Sequence, residues 1–238
     1  MSRVGKQWIE LAQKRDVLEG TRILRTTKHL AVSHYVLSRN FQDLMGLINS
    51  YEKNWEIFSI SKRQQLDDLL KEFTRLLHNY LASVLSLIEH TRGFRQRLGN
   101  KELNDFCDSE IIKLQSNQKF ILVQELRAYT QHAQLPLASA TFSFVSEHQD
   151  GQGTFTQKLI LDKAVLLESD RWSKNSKAII EQTEKGLDVK EVVQHYQTFV
   201  EQFYNSIYDT VTMLYLKEFQ ELLELERKLF ELQQEEKK

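Results

Sequence analysis

The chain has 238 residues, 41% hydrophobic and 27% charged, which is enough apolar material for a sizeable core and excludes an unfolded tail. Eight glycines and a single proline fall well below ordinary usage, so collagenous and loop-dominated architectures are excluded and helices are expected. One cysteine excludes a disulfide framework, and no apolar run approaches the roughly 18 residues of a membrane span. With no apolar leader segment either, the expected setting is the cytoplasm, without a membrane partner.

The net charge of -1 hides an asymmetry: residues 1–136 carry 20 Lys and Arg against 15 Asp and Glu, whereas residues 137–238 carry 12 against 18. An electropositive front half suits a polyanionic partner such as RNA, and an acidic remainder limits indiscriminate binding. Plain charge scatter accounts for the same numbers equally well.

In chain order, residues 21–38 read as helical, with Arg22, Arg25, Lys28 and His29 three to four apart in a basic stripe of the kind that usually faces solvent. Asn40 reads as the cap of a following helix through Phe41, Leu44, Leu47 and Ile48. Ser61 with Gln64 forms a capping-box start for a long amphipathic helix carrying Leu66, Leu69, Phe73, Leu76, Leu77, Tyr80, Leu81, Val84, Leu87 and Ile88. Gly99 and Asn100 end that helix and open the next. The pattern weakens at residues 115–118, which predicts a split, and Pro136 stops the helix near residues 132–134.

Residues 141–145 and 154–160 alternate apolar and polar around Asp150-Gly151-Gln152-Gly153, which predicts a β-hairpin. A short helix spans Trp172 to Lys185 and ends at Gly186. Asp188 with Glu191 caps a last, long helix whose Tyr196, Phe199, Phe203 and Tyr215 form a buried seam. The expected fold is therefore mostly α: a single helical-bundle domain over residues 1–238, with a β-hairpin inserted at 139–165 and a long C-terminal helix at 188–236.

Arg127-Ala128-Tyr129-Thr130-Gln131-His132 places a permanently charged guanidinium about one and a half turns before an imidazole, a group that ordinarily titrates near pH 6.5, at a helix C-terminus. Two cations there also suit the negative end of the helix dipole, by about 0.3–1 kcal/mol each, with no function implied. The segment Leu126 to Pro136 resembles the HEPN (higher eukaryotes and prokaryotes nucleotide-binding) superfamily, whose signature is Arg, four to six residues, then His. Arg127 and His132, with four residues between them, are the matching positions. The wider resemblance in layout covers residues 40–136, the HEPN-like core. Position 128 is Ala where members often carry Asn or another polar residue.

The resemblance implies a helical bundle, a homodimer, and metal-independent endoribonuclease activity with Arg127 and His132 as catalytic residues and no cofactor. It further implies a toxin or host-defence role, with an antitoxin or other regulatory protein as a partner. A second reading, prompted by Ala128, is a catalytically silent HEPN-like module that binds RNA or protein. A third is a purely structural helical protein.

Other constellations are weaker. Arg92, Arg95 and Arg97, with Phe94 among them, form a candidate nucleic-acid-binding cluster in which the arginines hold phosphates and the ring stacks a base, or else an ordinary solvated helix end. His78 reads as a hydrogen-bonded residue of the bundle. Cys107 reads as a buried thiol, and the histidines lack metal-ligand spacing, so no metal site is expected.

Overall fold

A computed structural model describes the backbone of residues 3–132, 138–146 and 153–236. Among the described residues the chain is mostly helical, beginning with α1 (Arg3–Val17), α2 (Glu19–Glu52), α3 (Arg63–Leu98), α4 (Lys101–Gln115) and α5 (Gln118–His132). A hairpin of β1 (Ala138–Ser146) and β2 (Gly153–Asp162) follows, then α6 (Lys163–Leu167), α7 (Lys174–Gln182) and β3 (Gly186–Asp188). The last helices are α8 (Val189–Leu214) and α9 (Leu216–Glu235). The mostly-α architecture with an inserted β-hairpin is the one the sequence predicts. Residues 147–152, where the sequence predicts the turn, and the region around Pro136 lie outside the described residues.

Helix ends follow local chemistry where the sequence marks them. Gly99 adopts φ +61°, the left-handed geometry that closes α3, and its amide donates to the Arg95 carbonyl at 3.0 Å. Asn100 Oδ1 then accepts from the Leu103 amide at 3.0 Å, and Asn117 Oδ1 accepts from Phe120 at 3.1 Å to open α5. Asp188 accepts from the Glu191 amide at 3.3 Å at the start of α8.

Elsewhere the expectations are corrected. α2 runs unbroken for 34 residues through Asn40, which is not a cap. The Asn40 side chain instead donates to the Asn79 carbonyl at 3.3 Å, a tertiary partner that a local reading cannot anticipate. α3 starts at Arg63 after two short 3-10 turns, and Gln64 donates forward to Asp68 rather than back to a cap. The long C-terminal helix is divided at Tyr215, whose φ of -119° and ψ of 26° separate α8 from α9 although the amides on both sides keep their four-residue spacing.

β1 pairs antiparallel with β2 in a register that sets Phe142 opposite Gln157, and β2 pairs with β3, setting Ile160 opposite Asp188. The third strand is absent from the sequence expectation, in which Gly186 merely ends a helix. At Gly186 a Cβ would lie 2.2 Å from the Leu161 carbonyl oxygen, so only glycine lets β3 come this close to β2.

The described chain divides into two compact units. Residues 33–88 and 111–201 form one, and residues 1–32, 89–110 and 202–238 the other. The expected HEPN-like core, 40–136, therefore draws on both. In the larger unit, Phe41 of α2 meets Tyr80 of α3, Phe120 of α5 stacks on Tyr196 of α8 with centroids 4.5 Å apart, and Leu44, Leu77, Leu122 and Val193 are fully buried. In the smaller unit, Arg22 of α2 donates to the Arg97 carbonyl at 2.7 Å, Thr91 of α3 bonds Tyr204 of α8, and α1 lies along α9.

Candidate functional site

The Arg-His segment occupies the last two turns of α5. Leu126, Tyr129 and Thr130 turn inward and are buried. The Tyr129 ring stacks on Trp172 with centroids 5.3 Å apart, and Glu125 accepts from the Ser173 amide at 3.0 Å, so the residues leading into α7 hold this face of α5 in place. Arg127 lies between the buried residues and is half-buried itself. One guanidinium nitrogen, Nη2, donates to Gln131 Oε1 at 2.5 Å, and Thr130 Oγ1 donates to the Arg127 carbonyl at 2.8 Å. Arg127 Nε is buried and has no hydrogen-bond partner among the described residues. A buried donor of a permanently charged group is costly to leave unsatisfied, and an anion is the partner that would satisfy it.

His132 is the final residue of α5, and its side chain lies outside what is described. Because α5 is helical to that point, the five-residue step from Arg127 corresponds to about 140° of rotation and about 7.5 Å of rise. On an ideal helix the two positions therefore do not share a face.

Arg92, Arg95 and Arg97 belong to the smaller unit and Arg127 and His132 to the larger. Arg92 is paired with Glu89 at 2.9 Å. Arg95 reaches Asp108 at 2.7 Å and Asn104 at 3.1 Å, and Arg97 Nε donates to the Gly93 carbonyl at 3.1 Å. Phe94 between them is buried, 1% exposed, so its ring is a core side chain and the base-stacking alternative does not apply to it. His78, by contrast, is exposed and is not a residue of the bundle interior. Cys107 is fully buried, and burial pushes its thiol up to about 11, away from nucleophilic use.

The larger unit holds a polar cluster that the sequence reading overlooked. His34 Nε2 lies 3.1 Å from Glu201 Oε2, while Glu201 Oε1 accepts from Ser38 Oγ and from Gln197 Nε2, both at 2.7 Å. Tyr80 donates to Gln197 at 3.4 Å. His34 is only 8% exposed; burial lowers its pKa from the usual histidine range, partly opposed by the Glu201 carboxylate. The order of contacts, with the carboxylate between the hydroxyl and the imidazole, is not that of a nucleophile, base and orienting acid. The available signal was a pair of four-residue steps, His34 to Ser38 and Gln197 to Glu201, each set within an apolar helix face.

A cleft of about 440 Å³ opens beside the sheet, lined by Lys119, Thr141, Lys158, Lys185, Asp188 and Glu191 among others. Its charges are largely matched internally, Lys158 with Asp188 at 2.9 Å and Lys119 with Glu191 at 2.5 Å. Among the described residues no group of three or more His, Cys, Asp or Glu gathers as metal ligands, and no helix is long and apolar enough to cross a membrane. No family profile, curated protein or solved structure matches the chain.

Proposed function

We propose that the chain is a metal-independent endoribonuclease of the HEPN kind, acting as a homodimer with Arg127 and His132 at its site. The observation that carries this reading is the Arg127 guanidinium: half-buried, steadied by Gln131, with one buried N–H directed at no protein acceptor among the described residues. It stands five residues before the His that closes the same helix.

RNA carries its own nucleophile. The 2′-oxygen attacks phosphorus and the 5′-oxygen departs, leaving a 2′,3′-cyclic phosphate and a free 5′-hydroxyl. One imidazole takes the 2′-hydroxyl proton and a second, protonated imidazole gives a proton to the departing oxygen. Arginine is suited to bidentate contact with the non-bridging oxygens as their charge grows. Two histidines are needed and each chain offers one at this position, so one chain is short of a complete set; a two-fold dimer supplies it.

The test is cleavage of end-labelled single-stranded RNA with EDTA present, by the wild type, Arg127→Ala and His132→Ala. The expected result is cleavage by the wild type to cyclic-phosphate ends, with each variant slower by about a hundredfold or more. Metal-dependent cleavage, or unchanged rates in both variants, overturns the reading. RNA retention without cleavage selects the silent module prompted by Ala128.

A further inference from the structure

Among its described residues, the smaller unit holds a helix pair, α1 and α9, with apolar side chains both buried and exposed. On α9, Leu222, Leu225 and Leu229 are buried. Leu216, Leu223 and Phe230, seven residues apart, are 53%, 71% and 60% exposed. Seven-residue spacing keeps the three on one narrow stripe, the pattern of a helix that packs against another helix. Alongside, α1 buries none of its residues fully and keeps Trp8 and Ile9 exposed. An Arg15–Glu226 contact at 3.7 Å links the two helices.

The charges of the pair are opposite. α1 carries four basic and two acidic residues, whereas α9 carries three basic and six acidic ones. A polyanion is repelled by α9, and a strongly basic or acidic partner would match only one of the two helices. A two-fold copy matches both, because an isologous contact sets each α1 against the other chain's α9 and each apolar stripe against apolar side chains.

We propose that the α1–α9 pair is a self-association surface of this chain, and that its occupant is the same pair from a second copy, closing a four-helix layer. The proposal rests on these two helices alone and is independent of the Arg127–His132 chemistry.

The test is sedimentation of the full chain over a micromolar concentration series. The wild type is expected to be a dimer, and the double variant Leu223→Glu, Phe230→Glu is expected to dissociate with affinity weaker by about tenfold or more. Both side chains are largely solvent-exposed, so the circular dichroism melt is expected to stay close to the wild type. A second pair of variants guards against misfolding: Lys6→Glu with Lys14→Glu weakens the dimer, and adding Glu224→Lys with Glu231→Lys restores it. A monomeric wild type, or a dimer that ignores both sets of substitutions, overturns the proposal. A dimer that ignores them yet cleaves RNA through Arg127 and His132 overturns this surface alone and leaves the ribonuclease reading standing.

Discussion

His34 is held against Glu201 at 3.1 Å in a setting that lowers its pKa through burial. The unfolded chain, with an ordinary histidine pKa of about 6.5, therefore binds the proton more readily than the native one. Stability contributed by neutral His34 is complete above that value and declines as pH falls from it towards the lowered native value. Urea melts between pH 7 and 5 should show a loss on acidification that His34→Gln reduces. Two glycines give an opposed pair of expectations. A Cβ at Gly20 would lie 2.3 Å from the Glu218 carbonyl oxygen, backbone against backbone, and Gly20→Ala should destabilise by about 1–3 kcal/mol. At Gly46 a Cβ meets nothing within 4 Å inside α2, so Gly46→Ala should stabilise by about 0.4–1 kcal/mol in the same melts.

Among the helices, the junction of α3 and α4 is set by two adjacent residues. Asn100→Ala removes the acceptor of the Leu103 amide and should cost about 1 kcal/mol in chemical denaturation, with the midpoint falling and the slope unchanged. This junction was legible in the sequence because its chemistry is local, a side chain and an amide three residues away, whereas the split at residues 115–118 was legible only as a weakened apolar pattern and its Asn117 cap was not. The hairpin was legible through alternation. What escaped depends on distant partners. Asn40 has the side chain of a cap but bonds a carbonyl of α3, and β3 is a strand only because Leu161 pairs with Leu187. The division at Tyr215 leaves the apolar spacing of α8 and α9 almost continuous, so periodicity passes over it. Of the candidate site, the helix and its end were readable. The half-burial of Arg127, and the separation of His34 from Glu201 by more than a hundred residues of chain, were not.

At the scale of the whole chain, each compact unit is assembled from separated segments, and α2, α3, α4 and α8 contribute residues to both. A cut at any single peptide bond therefore cannot release one unit as a continuous fragment, and constructs limited to residues 40–136 should fail to give a cooperative melt. In the smaller unit, basic α1 and acidic α9 lie side by side. Cys107, enclosed on α4 with its thiol pushed up to about 11, adds a practical property. A maleimide has no ready target on the folded protein, so a cysteine introduced on the surface becomes the sole attachment point for a dye or spin label. The slow blocking of the native sulfur then clocks how often α4 leaves its seat.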